Sequence, residues 1–223
     1  MAVFVLVHGA WAGGWSWTRV VDLLTAKGHR VFAPTLSGLG ERSHLADRNI
    51  DLLTHVNDIV NEIKWKDLQN VVLVGHSYGG LVITGVAEQV LDRIASVVYV
   101  DAFVPSDGQS FADMMPSWDM SAVTIPAPQT EPGEYQSEAD RASVDSKATP
   151  HPSASFREKL RVTGAYERVP KKIFVEATGW DGFHTLAERL RSDLGWRVHK
   201  VASGHDIPIN RPQELADILE ASI

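Results

Sequence analysis

Short apolar runs of strand length alternate along the chain with stretches in which apolar residues recur at helical spacing. Residues 3–7 and 71–74 are uninterrupted apolar runs, typical of parallel strands that are covered on both faces. The other predicted strands cover residues 30–33, 95–100, 172–177 and 196–202, and the predicted helices cover residues 15–27, 52–63, 81–94 and 213–219. Strand–helix alternation predicts an α/β fold with a mainly parallel sheet and helices on both faces. Any site is then expected at the carboxyl ends of the strands.

The alternation stops over residues 105–166, which contain several prolines, scattered serines and aspartates, and a local apolar cluster. A long insertion between two core strands often forms a functional lid. We therefore predict a core built from residues 1–104 and 167–223 and an inserted cap at 105–166. Within the cap, residues 129–148 are polar and are expected to be mobile.

Composition narrows the functional classes. The 223 residues carry a formal net charge of −7 without a clustered basic patch, which argues against a nucleic-acid partner. No cysteine is present, so disulfides, thiolate metal sites and a cysteine nucleophile are excluded. The first residues lack a basic leader, and no apolar run has the length of a membrane span. We expect a cytoplasmic protein with no membrane partner.

The sharpest motif is Gly75-His76-Ser77-Tyr78-Gly79, which lies between a predicted strand and a predicted helix. A serine on such a tight turn is held in strained backbone geometry that exposes its hydroxyl. The following helix directs free N–H groups toward a developing oxyanion. This context predicts Ser77 as a nucleophile, with His76 as a packing residue.

A serine nucleophile needs a base and a carboxylate that orients the base. Of the nine histidines, His205 is best placed, because it follows the last predicted strand in Ser203-Gly204-His205-Asp206. Both Asp101 and Asp181 satisfy the chain order Ser, then Asp, then His. Chain order alone leaves these two candidates open.

Stabilisation of a tetrahedral intermediate needs two hydrogen-bond donors. The Tyr78 N–H is one by the geometry of the turn, and the other is expected from the loop after the first strand, residues 8–14. This loop lacks the G-x-G-x-x-G spacing of a dinucleotide site, and the chain has no H-E-x-x-H cluster. We expect neither a cofactor nor a metal.

These motifs together resemble the α/β-hydrolase fold, and more narrowly the branch of plant methyl esterases and hydroxynitrile lyases with its bacterial esterase relatives. The resemblance rests on residues 5–10, 14–17, 75–80, 177–181 and 204–206. It implies a six-stranded sheet, an oxyanion donor at the Ala10 N–H, and Asp181 in preference to Asp101 as the acid.

Two departures from that branch favour an esterase over a lyase. The lyases carry Thr after the first-loop His and Lys after the catalytic His, where this chain has Gly9 and Asp206. An aspartate has the wrong sign to stabilise departing cyanide.

The sequence thus predicts a serine esterase that cleaves small or medium carboxylic esters through an acyl-enzyme on Ser77. A hydroxynitrile lyase, a lactonase and a weakly catalytic small-ligand-binding protein are the alternatives. A homodimer is compatible with the sequence. The residues expected to line the substrate pocket are Trp11, Phe111, Met114, Met115 and Trp118.

Overall fold

The computed structural model describes all residues, 1–223. The strands are β1 (Val3–Val7), β2 (Arg30–Phe32), β3 (Val71–His76), β4 (Ile94–Val100), β5 (Thr124–Ile125), β6 (His151–Pro152), β7 (Lys171–Ala177) and β8 (Trp196–Val201). The α-helices are α1 (Thr18–Ala26), α2 (Leu52–Trp65), α3 (Gly79–Gln89), α4 (Phe111–Met114), α5 (Glu138–Lys147), α6 (Ser153–Arg157), α7 (His184–Arg191), α8 (Ile207–Asn210) and α9 (Pro212–Ala221). Four short 3-10 helices cover Gly14–Trp17, Gly40–Leu45, Leu91–Arg93 and Ala165–Arg168.

Six strands form one sheet in the order β2-β1-β3-β4-β7-β8, and every neighbouring pair is parallel. The carboxyl ends are in register at one edge, where Val7 pairs with Gly75 and His76 pairs with Val100. The predicted α/β fold with a six-stranded sheet is confirmed. The parallel arrangement brings the ends of β1, β3, β4 and β8 together, as a strand-end site requires.

Side chains of β1 alternate between two hydrophobic layers. Val5 and Val7 belong to the larger cluster of 33 buried residues, together with side chains of α2 and α3. Phe4 and Leu6 belong to the second cluster of 18, together with α1 and α9. Both faces of the sheet are therefore covered at β1, which explains why this strand is apolar throughout.

The insertion between β4 and β7 carries α4, α5, α6 and the antiparallel pair β5–β6. Phe111, Met120 and Phe156 of this insertion belong to the larger core cluster, so the insertion packs directly on the sheet. The polar stretch 129–148 includes α5, which begins after Ser137, whose side chain accepts from the Asp140 N–H.

Helix ends follow local signals that the hydrophobic period does not contain. α2 begins with a capping box, in which Asp51 accepts from the Thr54 N–H and Thr54 reaches back to the Asp51 N–H. α3 ends at Gln89, five residues before the predicted end at Ile94, because Leu91–Arg93 tightens into a 3-10 turn. None of the helices combines the length and apolar character that a membrane crossing needs.

Candidate active site

Ser77 lies on the turn between β3 and α3 and has a positive φ of 53°. Left-handed backbone at a non-glycine residue costs about 1–3 kcal/mol and persists only where surrounding contacts enforce it. The Ser77 N–H donates to the Val100 carbonyl at 3.3 Å, and the Ser77 carbonyl accepts from Gly80 and Phe103 at 3.0 and 3.2 Å. These bonds tie the turn to β4 and to the chain that follows it.

Gly80 permits that close approach. A Cβ at this position would lie 2.0 Å from the carbonyl oxygen of Phe103, a distance too short for any side chain. Gly80, three residues after the predicted nucleophile, is therefore a packing requirement of the turn.

His205 lies in the loop after β8, with its side chain 27% exposed. Its Nδ1 lies 2.7 Å from Oδ2 of Asp101. Because an ionised carboxylate only accepts hydrogen bonds, Nδ1 carries the proton and Nε2 keeps the free lone pair. The imidazole ring packs against the rings of His76 and Trp180, each with its centroid 4.6 Å away.

The preference for Asp181 as the acid is wrong, because the structure pairs His205 with Asp101. Asp101 directly follows β4, has a φ of 44° and is completely buried. Besides His205, its carboxylate accepts from the Ala177 N–H at 3.0 Å and from the Trp180 indole N–H at 2.6 Å. Three donors compensate the burial of this charge.

Asp181 lies in the exposed loop beyond β7. Its carbonyl accepts from the His184 N–H at 3.4 Å, at the start of α7. The side chain that the Thr178–Asp181 segment contributes to the site is its neighbour, Trp180. The sequence motif located this segment but not the role of Trp180, because the motif does not show which of its side chains faces the site.

Two backbone N–H groups next to the site have no acceptor inside the protein. The Ala10 and Tyr78 N–H groups donate no hydrogen bond within the chain. Tyr78 is the N-cap residue of α3, so its N–H lies at the positive end of the helix. Two N–H groups without an internal acceptor are what the predicted oxyanion hole requires.

Backbone strain concentrates here. Five non-glycine residues have a positive φ, and three of them are Trp11, Ser77 and Asp101. Because strained backbone is retained where function demands it, this clustering supports the location of the site independently of the motifs.

Buried neutral histidines hold the loops around the site. His8 accepts at Nε2 from the Leu36 N–H at 3.0 Å and donates from Nδ1 to the Gly9 carbonyl at 2.8 Å. His55 donates from Nε2 to the Ser37 carbonyl and accepts at Nδ1 from the Tyr78 hydroxyl, both at 2.9 Å. Burial lowers the pKa of each imidazole to about 4.

His76 has the packing role that its position in the motif predicts. It is buried, and its Nε2 lies 3.1 Å from the backbone carbonyl of His205, to which it donates. Burial and the neighbouring His205 lower the pKa of His76 to about 4, so it is neutral at pH 7. This bond steadies the loop that carries His205.

A cavity of about 140 Å³ opens above Ser77 and His205. Of the residues expected to line it, only Trp11 does so. Phe111, Met114 and Met115 pack against the core, and Phe111 stacks on Phe156 with ring centroids 4.4 Å apart. Trp118 packs on Trp11 at 5.4 Å. The prediction for these four is wrong because the apolar cluster joins cap to core.

The cap side of the cavity comes instead from the polar stretch 129–148 and the two residues before it, with Ala127, Pro128, Thr130, Glu134, Tyr135, Val144 and Ala148. The hydroxyl of Tyr135 donates to Asp206, the residue after His205. The pKa of Tyr135 is raised by burial and by this carboxylate. Sequence reasoning missed Tyr135, since it lies in a segment without apolar periodicity.

The strained serine turn, the His–Asp pair and the paired N–H groups lie at the carboxyl edge of a parallel six-stranded sheet. This combination defines the α/β-hydrolase class. The family profile described as "Alpha/beta hydrolase family" matches residues 4–218, and the chain belongs to that family. No group of three or more His, Cys, Asp or Glu side chains is arranged to hold a metal ion.

Relatives narrow the class to esterases. A carbendazim hydrolyzing esterase from Nocardioides sp. (strain SG-4G) is 38% identical over 99% of both chains. Methylesterase 2 of Arabidopsis thaliana is 37% identical over 48% of this chain and 41% of its own length. The predicted resemblance and the prediction of a carboxylic ester hydrolase are confirmed.

Solved structures agree on the fold. An extracellular α/β-hydrolase from a Paenibacillus species, described as sharing structural and functional homology with tobacco salicylic acid binding protein 2, is 29% identical. It superimposes with a TM-score of 0.84 over 100% of this chain and 99% of that one. The methylesterase MES16 from Arabidopsis, 21% identical, gives a TM-score of 0.80 over 99% of this chain and 98% of its own, and shows the same fold.

Proposed function

We propose that the protein hydrolyses small or medium carboxylic esters through an acyl-enzyme on Ser77, with His205 as base and Asp101 as its orienting acid. The observation that carries this proposal is the 2.7 Å contact between His205 Nδ1 and Asp101 Oδ2, made by a histidine that lines one cavity with Ser77. It fixes the tautomer in which Nε2 can accept the serine proton.

In the first half-reaction, Ser77 Oγ forms a bond to the ester carbonyl carbon while its proton moves to Nε2 of His205. The negative charge on the carbonyl oxygen is stabilised by the Ala10 and Tyr78 N–H groups. When the tetrahedral intermediate collapses, the carbon–alkoxy bond breaks and the alcohol leaves with the proton held on Nε2. Asp101 stabilises the transient imidazolium throughout.

In the second half-reaction, a water molecule attacks the acyl carbon and gives its proton to the same Nε2. The carbon–Oγ bond then breaks, the carboxylic acid is released, and Ser77 regains its proton. Every proton in this cycle passes through one nitrogen of His205, so no metal or cofactor is needed to balance it.

The cavity supports a compact, uncharged substrate. Its volume of about 140 Å³ is close to that of an apolar cavity that accommodates one benzene ring. Glu134 and Asp206 are among its lining residues, and neither Lys nor Arg is. We infer that esters bearing a free carboxylate are disfavoured, because their charge would meet the Asp206 carboxylate. Methyl esters and carbendazim, named for the relatives, are the first substrates to test.

The same charge supports an esterase over a lyase. Asp206 directly follows His205 and lines the cavity, where a departing cyanide would need a positive partner. Gly9 also differs from the lyase pattern, and a Cβ there would lie 3.1 Å from the Ser77 Cβ. Measuring alcohol and cyanide release from matched ester and cyanohydrin substrates separates the two activities.

The direct test is covalent labelling of Ser77 with a fluorophosphonate, located by peptide mass spectrometry. Wild-type protein is expected to be labelled at Ser77 and to hydrolyse p-nitrophenyl butyrate. The S77A variant is expected to lose both properties, while S16A, which changes a buried serine near the same cavity, keeps the label. A folded wild-type protein with no adduct on Ser77 would refute the proposal.

Three further properties stay predictions: a cytoplasmic location, the absence of nucleic-acid and membrane partners, and a homodimeric assembly. Light scattering after size-exclusion chromatography measures the last directly. The division into a core and a cap at 105–166 also stays a prediction, which limited proteolysis tests through the position of the first cleavages.

A further inference from the structure

We propose that His151, in the cap, is a positioning residue for the oxyanion hole. It would act by holding Trp11, the residue after the Ala10 donor, in its left-handed conformation. This inference rests on the proposed function, because it presupposes that the Ala10 N–H stabilises an oxyanion. It assigns the cap a part in the chemistry, beyond covering the cavity.

The starting observation is the backbone of Trp11. Its φ of 60° is a conformation that a bulky residue rarely adopts. The orientation of the Ala10–Trp11 peptide, and therefore the local path of the chain at Ala10, depends on keeping that conformation. An element that enforces this conformation therefore restrains the chain at Ala10, whose N–H is the proposed donor.

Three hydrogen bonds fix Trp11, and the cap supplies the partner of each. The Trp11 N–H donates to Nδ1 of His151 at 3.2 Å. The indole N–H donates to the Ile125 carbonyl at 3.0 Å, and the Trp11 carbonyl accepts from the Thr149 N–H at 2.9 Å. Only the first of these uses a cap side chain, so it is the one that a substitution within the cap can remove without redirecting the backbone.

The hydrogen bonds of His151 assign its tautomer. Because Nδ1 accepts from the Trp11 N–H, the proton lies on Nε2, which is 2.9 Å from the Ser155 hydroxyl. Ser155 in turn donates to the Pro152 carbonyl at 2.8 Å, so its oxygen is oriented to accept from Nε2. The chain of donors and acceptors is complete and leaves His151 neutral. Burial also lowers the pKa of His151 well below its ordinary value of 6.5.

Packing holds the imidazole in place. His151 is completely buried, and its ring is stacked on Phe156 with a centroid distance of 4.1 Å and an interplanar angle of 9°. The edge of the ring also meets Tyr78, whose backbone N–H is the second oxyanion donor, at 4.9 Å. One rigid cap side chain therefore contacts both residues that supply, or directly follow, the oxyanion donors.

The experiment compares a substitution that keeps the ring and removes the acceptor with one that gives up the ring and keeps an acceptor. His151→Phe keeps an aromatic ring against Phe156 but removes the acceptor. His151→Asn places Oδ1 where Nδ1 lay and can still accept from the Trp11 N–H. Loss of one oxyanion donor costs about 10²–10³ in kcat. A displaced donor costs less, so we expect H151F to lower kcat about ten- to a hundredfold with KM nearly unchanged, and H151N to recover most of it.

A transition-state analogue supplies a readout that a purely structural role would not move. The inhibition constant of a trifluoromethyl ketone, whose adduct places an oxyanion in the hole, is expected to rise in H151F by the same factor as kcat/KM falls. Inhibition by the corresponding methyl carbinol, which forms no oxyanion, is expected to stay at the wild-type value.

Equal kcat in H151F and wild type, or an H151N variant as slow as H151F, would overturn the inference. If H151F does not fold, S155A replaces it, because this change frees Nε2 and loosens the tautomer. A lowered kcat with wild-type KM in S155A supports the inference, and an unchanged kcat refutes it. Fluorophosphonate labelling distinguishes failure of this inference from failure of the proposed function. If the wild-type protein is labelled and H151F turns over at the wild-type rate, only the inference is refuted. If the wild-type protein is not labelled, the proposed function is refuted as well.

Discussion

The ends of β4 and β7 are neighbours at the same edge of the sheet, and an aspartate follows each strand. Asp101 follows β4 directly, is completely buried and accepts three hydrogen bonds, from His205, Trp180 and Ala177. Asp181 lies further along its loop and is exposed. Two carboxylates that satisfy the same chain order thus have opposite environments.

The difference shows what makes a carboxylate suitable for orienting a histidine. It must lie where the strand ends, so that the backbone fixes its direction, and it must have enough donors to stay ionised after burial. The β7 end meets neither condition with Asp181, but it supplies the Ala177 and Trp180 N–H groups that stabilise Asp101. The two regions therefore cooperate in one acid: the charge lies just after β4, and two of its donors come from the end of β7 and the loop that follows it.

Neutralising each carboxylate in turn gives the largest expected effect on kcat. Asp101→Asn leaves the size of the side chain unchanged but removes the charge and presents an amide to Nδ1 of His205, which favours the wrong tautomer. We expect kcat for p-nitrophenyl butyrate to fall about 10³–10⁴-fold. Asp181→Asn is expected to remain close to wild type, because the exposed carboxylate contacts no reacting group.

Circular dichroism and thermal unfolding of both variants control for folding. A D181N variant that loses most of its kcat while D101N keeps it would reverse the comparison and restore the assignment drawn from family resemblance. Equal losses in both would mean that neither strand end holds the acid alone.

Much of the fold and of the site is predictable from the sequence. The remainder is not predictable, and the reason is physical. Apolar strand runs and the context of Ser77 predict the sheet and the nucleophile, because both depend on local pattern. The choice between Asp101 and Asp181 depends on φ at Asp101 and on an indole from the loop after β7, neither of which has a periodic signature. The prediction of the cavity lining was wrong for a similar reason, because the apolar residues Met114 and Met115 pack between the cap and the core.

The histidines also differ in burial, and the pH dependence of stability reports this difference through their pKa values. His55 is completely buried, and burial lowers its pKa from 6.5 to about 4. Between those pH values the unfolded chain binds a proton that the folded protein does not. The contribution of His55 to the free energy of unfolding is therefore fully present above this window and is lost as the pH falls through it. The full shift corresponds to about 3 kcal/mol.

We therefore expect the free energy of unfolding, measured by urea titration, to drop between about pH 7 and about pH 5. His55→Asn lowers stability throughout and reduces this slope, since one buried histidine no longer titrates. His44→Asn changes an exposed residue and should leave the slope unchanged. An H55N variant that keeps the full slope would show that other groups account for it.

The smallest expected effect tests whether β7 takes part in the site through Trp180. Trp180→Phe removes the indole donor 2.6 Å from Asp101 but keeps an aromatic ring beside His205. A hydrogen bond to a charged group contributes about 1.5–3 kcal/mol. Because Asp101 retains His205 and Ala177 as donors, we expect the lower end, a loss of about tenfold in kcat with little change in KM.

Trp65→Phe, at a tryptophan that is 85% exposed, is the matched control and should be neutral. A W180F variant with wild-type kcat would mean that the backbone N–H of Ala177 and His205 suffice for Asp101. A W180F variant as impaired as D101N would mean that the indole is what holds the carboxylate against His205, and the acid would then depend on both strand ends equally.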